Sequence, residues 1–264
     1  MAPTRRNAMK LQCIGHAFAE NCIPIADRAA QASPARLATS SVILPFLPTA
    51  TPAILQPMIA LLDYGSGNLR SVHKALLKAG ATVRLVQRPE EIGDASGLVL
   101  PGVGAFDDCI HALRQQELLE AARAFTQSGR PFLGICVGYQ ALFERSEEFN
   151  SCATGLGLFG GSVVRFPESS GLKIPQIGWN QLALTRPDCP LYQGVPEGSH
   201  VYFVHSFYPE PVDASIVATR TDYGVNFASS VWRDNVFATQ FHPEKSQRVG
   251  LQILKNFVGL TKPS

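Results

Sequence analysis

The sequence predicts an α/β domain over residues 58–264, with a mainly parallel central sheet flanked by helices and extra β-hairpins in its C-terminal half. Three observations lead to this fold class. From Met58 to about residue 155, short apolar runs alternate with stretches whose apolar residues recur at helical spacing. This alternation is typical of parallel strands joined by right-handed helical crossovers. After about residue 155, short strand-like segments are separated by Gly, Pro, Asn and Asp, which indicates hairpins.

The first half of the domain predicts four buried strands, each an apolar run close to Gly or Pro. These strands cover residues 59–63, 82–86, 97–100 and 131–135. A first helix begins near Leu69 and ends at Gly80. A longer helix is predicted over residues 105–127, and a third begins at Cys136. This order of elements is the one that a parallel sheet requires.

The second half predicts strands at residues 162–166, 181–184, 201–207, 225–232 and 236–241. Asp234 and Asn235 favour turns, and they separate the last two segments. Residues 246–258 predict a closing helix, because Ser246 is a good N-cap and apolar residues recur behind it at helical spacing. No internal repeat is visible in this region, so we expect a single domain.

The composition excludes several classes of protein. The 264 residues include 23 Lys and Arg against 21 Asp and Glu, whereas nucleic-acid-binding domains are strongly basic. Hydrophobic residues make up 45%, too many for a disordered chain, and no apolar run approaches the roughly 18 residues of a transmembrane helix. The six cysteines are sparse and form no C-x-x-C pair, unlike a disulfide framework or a zinc site. We therefore expect free thiols, a reducing, cytoplasmic compartment and no metal.

Residues 1–57 differ from the rest and are expected to be a low-order extension. They carry five Lys and Arg against two Asp and Glu, and their repeated Pro residues forbid a continuous helix or central strand. A basic, acid-poor segment rich in Ala and Ser also fits a targeting peptide. Thr4-Arg5-Arg6 resembles a twin-arginine signal, although no apolar stretch follows it. An extension, or upstream sequence ahead of a natural start at Met58, is favoured because the first strongly patterned element begins there.

Cys136 is the first candidate for chemistry, in the string Gly134-Ile135-Cys136-Val137-Gly138 between a predicted strand and a predicted helix. This is the nucleophile-elbow pattern with Cys in place of Ser. The two glycines allow a sharp turn that exposes the thiol at the carboxyl edge of the sheet. The helix start favours the thiolate, and the Val137 N–H is placed to bind an oxyanion. A buried structural Cys between two packing glycines is the alternative.

His242 and Glu244 form the second candidate, in the string Gln240-Phe241-His242-Pro243-Glu244. In extended backbone, residues i and i+2 project to the same side. Glu244 can then bind one imidazole nitrogen and leave the other for the thiol of a Cys–His pair. The alternative is an ordinary helix start preceded by a polar strand end.

Gly102 and Val103 form the third candidate, in a Gly-rich loop between the predicted strand at 97–100 and the following helix. Such loops present backbone N–H groups to anions and can complete an oxyanion hole. The alternative is a tight turn without chemistry. Phosphate binding is disfavoured because the loop contains neither G-x-G-x-x-G nor a Gly-Lys-Ser/Thr ending.

Taken together, these strings resemble the class I glutamine amidotransferases. The elbow around Cys136, extended to Gln140, and the pair of His242 and Glu244 carry the resemblance. Further strings are similar to the subfamily of glutaminase subunits of imidazole glycerol phosphate synthases, which serve histidine biosynthesis. They are DYGSGN (63–68), PGVGAF (101–106), GWN (178–180), YFVHS (202–206) and EKS (244–246). The resemblance covers essentially all of 58–264 and none of 1–57.

The resemblance implies a flavodoxin-like fold and the hydrolysis of glutamine to glutamate and ammonia, with no cofactor. It implies Cys136 as the nucleophile, His242 as the base and Glu244 as the acid that orients the base. It also implies a set of oxyanion and glutamine-binding residues. These are Gly102, Val103, Val137, Gln140, Ser206 and Phe207.

The resemblance further implies a heterodimer with a cyclase that folds as a (β/α)₈ barrel. The cyclase would use the ammonia to make imidazole glycerol phosphate and aminoimidazole carboxamide ribonucleotide. The glutaminase would be nearly idle until the nucleotide substrate of the cyclase binds, with a flip of the loop at Val103 as the switch. The implied interface residues are Asn68, Trp179, Asn180 and Lys245.

Three other functions remain open at this point. The glutaminase could serve another pathway such as anthranilate synthesis, although the PGVGAF and YFVHS strings argue against it. The chain could be a non-catalytic member of a complex, but Cys136, His242 and Glu244 are all present. It could also be a Cys hydrolase that acts on an ester.

Overall fold

The computed structural model describes residues 57–65, 67–168 and 171–262. Apart from Pro57, the predicted N-terminal extension lies outside the described residues. The α-helices of the described ranges are α1 (Leu69–Lys78), α2 (Phe106–Gln115), α3 (Leu118–Gln127), α4 (Val137–Gln140) and α5 (Gln247–Leu260). The strands are β1 (Met58–Leu62), β2 (Thr82–Val86), β3 (Gly97–Leu100), β4 (Phe132–Ile135), β5 (Phe143–Ser146), β6 (Phe159–Arg165), β7 (Gln176–Gln181), β8 (Ala183–Leu184), β9 (His200–His205), β10 (Phe207–Pro211), β11 (Val217–Asp222), β12 (Asn226–Arg233) and β13 (Val236–Thr239).

Eight strands form the central sheet, in the order β2-β1-β3-β4-β13-β12-β11-β8. The pairings from β2 to β13 are parallel. The pairings from β13 to β8 are antiparallel. The predicted α/β class is confirmed, but the sheet is more evenly mixed than predicted. The turn at Asp234, with a φ of 52°, returns the chain from β12 to β13 and so begins the antiparallel part.

Two smaller sheets supply the extra β-structure predicted for the C-terminal half, in the orders β10-β6-β5 and β7-β9. Strands β5, β7, β10 and β11 were not predicted from the sequence. In β7 the side chains of Ile177 and Trp179 point outward and are 58% and 46% exposed. Its apolar residues therefore face solvent instead of a core, which obscures the pattern that marks a half-buried strand.

The single helix predicted over residues 105–127 is two helices in the structure. α2 and α3 are separated at Glu117, which has a φ of 59°. On one straight helix, Leu113 and Leu118 would point about 140° apart. The break re-aims the second helix, so that both leucines are fully buried.

The parallel part of the sheet is the centre of the core, and it also positions the candidate site. Every residue of β3, β4 and β13 is buried, as expected for strands covered on both faces. The carboxyl ends of parallel strands meet at one edge of a sheet. The turns after β1, β3, β4 and β13 therefore come together there. No helix in the described ranges combines the length and apolarity needed to cross a membrane.

Candidate active site

Cys136 follows β4 directly and has a φ of 55° and a ψ of −109°. Its N–H donates to the Thr239 carbonyl at 2.8 Å, which ties the turn to β13. A Cβ on Gly138 would lie 2.0 Å from the Leu100 carbonyl oxygen, and one on Gly134 would lie 2.7 Å from the Gly138 carbonyl oxygen. The elbow therefore has a direct steric basis, because only glycine fits on either side of the cysteine.

The helix after Cys136 is shorter than a typical elbow helix. α4 is a single turn, and its four residues are buried. The Val137 N–H stands at the first position of this turn, where amides have no acceptor within the helix. A helix this short sums few peptide dipoles, so it contributes little stabilisation to a negative charge at its start.

His242 and Glu244 are held together at the same edge of the sheet. The His242 N–H donates to the Tyr202 carbonyl at 2.9 Å, and Nδ1 of the ring donates to Oε1 of Glu244 at 2.8 Å. The two side chains are 1% and 0% exposed. Asn68 donates from Nδ2 to the same Oε1 at 2.5 Å. The ring thus has a fixed orientation, and its Nε2 has no hydrogen-bond partner within the described part of the chain.

The charges around His242 favour its protonated form. Burial lowers the pKa of His242, but the negative charges of the Cys136 thiolate and the Glu244 carboxylate outweigh burial and raise this pKa to about 10. At neutral pH the imidazole is therefore protonated when Cys136 is a thiolate. The arrangement can hold the thiol proton on the ring and later release it to a leaving group.

A cavity of about 410 Å³ brings most of the predicted site residues together. Those in its walls are Val103, Cys136, Val137, Gln140, Ser206, Phe207 and His242. Glu244 contacts His242 from outside this wall. Gly102 also lies behind the wall, where a Cβ would come within 2.5 Å of the Gly138 nitrogen.

The predicted interface residues are dispersed. Lys245 lines the cavity, and Asn68 binds Glu244. Trp179 is exposed on β7. The Asn180 side chain is used within the fold, because Nδ2 donates to the Asp222 carbonyl and Oδ1 accepts from the Gln181 N–H, each at 2.8 Å.

Gln240 is a site residue that the sequence reasoning missed. Its Nε2 lies 3.7 Å from Sγ of Cys136, and its Oε1 accepts from Nε2 of Gln140 at 3.2 Å. Nε2 of Gln140 also donates to the Phe207 carbonyl at 3.0 Å. The only signal in the sequence was position: Gln240 stands two residues before His242, just after β13.

Glu148 is a second missed residue, and it places a carboxylate on the cavity wall. Its Oε2 accepts from the Phe106 N–H at 2.8 Å. Burial raises the pKa of Glu148 above its ordinary value. No local pattern marks this residue, because its approach to the cavity depends on the turn after β5.

His205 lies at the end of β9. It lines the cavity and is also packed against the ring of Phe203. Its Nδ1 donates to the Phe207 carbonyl at 2.9 Å, and its Nε2 lies 3.0 Å from the side-chain amide of Gln176. Burial lowers the pKa of His205 to about 3, so its ring is neutral at physiological pH.

The loop that contains Gly102 and Val103 is anchored at its start. The Tyr64 hydroxyl donates to the Pro101 carbonyl at 2.7 Å, and the Cys109 thiol donates to the Tyr64 oxygen at 3.3 Å. The turn after β1 therefore holds the base of the loop. Within the described ranges, no group of three or more His, Cys, Asp and Glu is arranged to hold a metal ion.

Comparisons with known proteins show which chains this one is similar to. The family model described as glutamine amidotransferase class-I matches residues 60–260. A relative from Syntrophotalea carbinolica, named imidazole glycerol phosphate synthase subunit HisH, is 53% identical over 205 residues, or 76% of this chain and 98% of the relative. A relative of the same name from Geobacter metallireducens is 50% identical over 75% of this chain and 96% of its own length.

Solved structures show the same fold at lower identity. The structure of PurLQS from Thermotoga maritima aligns with a TM-score of 0.62 and 21% identity, over 78% of this chain and 99% of the other. A crystal structure described as a glutamine amidotransferase aligns with a TM-score of 0.60 and 18% identity, over 77% of this chain and 98% of the other. At such identities the likeness concerns the fold alone.

Proposed function

The chain belongs to the class-I glutamine amidotransferase family, and from this premise we propose that it is the glutaminase subunit of an imidazole glycerol phosphate synthase in histidine biosynthesis. The observation that carries the proposal is the cavity shared by Cys136 and His242, with Glu244 bound to the imidazole. Support at the level of the subfamily comes from relatives of that name, about half identical over nearly their whole length. The reaction converts glutamine and water to glutamate and ammonia.

The first chemical step is attack on the side-chain carboxamide of glutamine. His242 holds the thiol proton, and the Cys136 thiolate forms a bond to the carboxamide carbon. The carbonyl oxygen takes up the negative charge, and the N–H groups of Val137 and the Gly102–Val103 loop stabilise it. Glu244 stabilises the imidazolium and fixes its orientation through Nδ1.

The following steps release the two products. His242 gives its proton to the amide nitrogen, the C–N bond breaks, and ammonia leaves a γ-glutamyl thioester on Cys136. His242 then accepts a proton from water as the water attacks the thioester carbon. The C–S bond breaks, glutamate leaves, and the thiolate and imidazolium are restored.

Recognition of glutamine requires a group for its α-ammonium. Glu148 supplies a carboxylate on the cavity wall, and the Phe106 N–H fixes one of its oxygens. The attraction between opposite charges is strengthened because Glu148 is half-buried. Gln140 and the backbone at Ser206 and Phe207 form the neighbouring wall, where they hold the rest of the substrate.

The ammonia passes to a cyclase with a (β/α)₈ barrel, and the two chains form a heterodimeric lyase. The exposed apolar side chains of Val103, Ile177 and Trp179 support docking of a partner. Lys245, which lines the cavity, contributes a charge to this surface. The cysteines of the described ranges are free, which supports a reducing, cytoplasmic setting.

The decisive experiment measures glutamate release from glutamine by the full chain, first alone and then mixed with the cognate cyclase. Addition of the nucleotide substrate of the cyclase is expected to stimulate glutamate release. If the protein pair shows no stimulation, the proposed function is wrong.

The nucleophile is tested by Cys136→Ala in the complex. We expect loss of glutamine-dependent synthesis by at least about a thousandfold, because no thioester can form. Synthesis with added ammonium salt should persist, since the cyclase is untouched. Cys152→Ala is the matched control, because Cys152 is exposed and outside the cavity. Glutamine use that survives in Cys136→Ala contradicts the assignment.

A further inference from the structure

Two buried side-chain amides lie beside the nucleophile, and that of Gln240 has no part in the function proposed above. Gln140 and Gln240 are 3% and 0% exposed. The Gln240 N–H donates to the Ser229 carbonyl at 2.8 Å, so its backbone is fixed to the neighbouring strand β12. Together the amides form a chain of hydrogen bonds from the Phe207 carbonyl to Sγ of Cys136.

The Phe207 carbonyl determines which amide group donates and which accepts in each of these hydrogen bonds. The Phe207 carbonyl can only accept, so Gln140 must present its NH₂ group there. That same nitrogen lies 3.2 Å from Gln240, so Gln240 must present its oxygen. The NH₂ group of Gln240 is then the one that faces Sγ of Cys136, at 3.7 Å. Each amide assignment depends on the previous one, and the backbone carbonyl fixes them all.

We propose that Gln240 is a further catalytic residue, which donates a side-chain N–H to the Cys136 thiolate, and that Gln140 positions the amide of Gln240. The inference rests on the proposed role of Cys136 as nucleophile. A thiolate accepts this hydrogen bond more strongly than a neutral thiol does, so the contact favours the reactive form. This hydrogen bond adds to the little electrostatic stabilisation that the one-turn helix α4 gives to the thiolate.

A hydrogen bond from Gln240 to the thiolate should change the pH dependence of Cys136 alkylation in a way that a purely structural role would not. Removing the N–H makes the thiolate rarer near neutral pH, but the thiolate that does form is at least as nucleophilic. Alkylation of Cys136 should therefore slow at low and neutral pH and keep its plateau rate at high pH. Loss of local packing would instead change the plateau as well, because it changes access to the sulfur.

The test is the rate of alkylation of the full chain by iodoacetamide between about pH 5 and about pH 10, a range that brackets thiol ionisation. The rate is read on the Cys136 peptide by mass spectrometry, so that Cys152 does not contribute. Gln240→Met keeps the length of the side chain and removes the donor. We expect the pH midpoint to rise by about one unit, or about tenfold slower alkylation below it, with an unchanged plateau.

Gln140→Met and the double variant test the positioning role. Gln140→Met releases the amide of Gln240, and we expect a smaller upward shift of the midpoint. In the Gln240→Met background it should add nothing, because the two residues act as one unit. Gln176→Met is the matched control: Gln176 is also buried, but it contacts His205 and not Cys136, so the midpoint should not move.

An upward shift in Gln240→Met supports the inference, and an unchanged or lower midpoint overturns it. If Gln240→Met does not fold, Gln140→Met decides in the same way. This outcome is separate from that of the proposed function. An unchanged midpoint leaves the Cys136→Ala result standing, whereas glutamine hydrolysis by Cys136→Ala refutes both.

Discussion

Asn68 connects the turn after β1 to Glu244, the residue that we propose orients His242. Oε1 of Glu244 accepts from both Asn68 and His242, while Oε2 is buried without a partner in the described ranges. Without Asn68, the carboxylate would be held by the imidazole alone. The orientation of the His242 ring therefore depends in part on a side chain that does not line the cavity.

Asn68→Gly is expected to lower kcat of the glutaminase about tenfold, the scale of one hydrogen bond to a charged group, and to leave KM unchanged. Glycine suits the test because Asn68 has a φ of 68°, a conformation that glycine adopts without strain. The measurement is steady-state glutamate release in the complex at saturating cyclase.

Asp234→Gly is the control for Asn68→Gly, since Asp234 also has a positive φ but is exposed in the turn before β13. Its kinetics should match those of the wild type. A rise in KM with unchanged kcat in Asn68→Gly would show that Asn68 binds substrate and does not position the acid.

At the scale of residues, candidate site residues could be predicted where the residues next to them in sequence form a recognisable pattern. Cys136 stood between glycines, and His242 stood two residues before Glu244. Glu148 and Gln240 could not be predicted in this way, because their contacts join segments that are distant in sequence. The bond from Asn68 to Glu244, 176 positions away, is of the same kind.

At the scale of elements, α4 lies very close to β3. The Cα of Gly138 faces the Leu100 carbonyl, and an added Cβ would lie 2.0 Å from that oxygen. Gly138→Ala must push α4 away from the sheet. We expect a loss of about 2–3 kcal/mol in the free energy of unfolding, measured by chemical denaturation, as for other overpacked cores.

Gly160→Ala provides the comparison for Gly138→Ala. Gly160 lies in β6, where the nearest heavy atom to an added Cβ is 3.9 Å away. Its free energy of unfolding should stay within about 0.5 kcal/mol of the wild type. Equal effects of the two substitutions would contradict the steric argument.

Helices and strands could be predicted where the apolar pattern of a short segment was enough to define them. Strands β2 and β3 were predicted with the bounds that they have, because each is a short apolar run between clear breakers. The break between α2 and α3 was not predicted, because Glu117 is a good helix former. It adopts its φ of 59° because the two helices pack separately.

At the scale of the whole molecule, His205 makes stability depend on pH. Its pKa is about 3 in the folded protein because of burial, against an ordinary value of 6.5. Between these values the unfolded chain binds a proton that the folded chain does not. Stability is therefore complete above the ordinary pKa and falls as the pH drops below it. From about pH 7.5 to about pH 5 the expected loss is about 2 kcal/mol.

The measurement is the free energy of unfolding at both pH values for the wild type and for His205→Gln. The variant loses the contacts of the ring with Phe166, Phe203 and Phe227, so it should be less stable at the higher pH. Its decline on acidification should be smaller by about 2 kcal/mol. An equal decline in both proteins would mean that His205 is protonated in the folded state.

The architecture was only partly predictable. The crossovers between β1 and β4 follow from the alternation of strands and helices. The position of β13 beside β4 does not, because it depends on hairpins whose strands pair over long separations. We propose that residues 58–264 constitute the amidotransferase domain, since the two relatives align over 205 and 204 residues, which are 98% and 96% of their own lengths.

The pairing of β4 with β13 also has a consequence for the synthesis and folding of the protein. Cys136 and His242 follow the ends of neighbouring strands, yet 106 positions separate them in the chain. During synthesis Cys136 leaves the ribosome well before His242. The thiol stays unactivated until β13 inserts beside β4, a long-range step that is slow to form. We therefore expect the Cys136 thiol of the nascent chain to lack the imidazole of His242 until most of the chain has been synthesised.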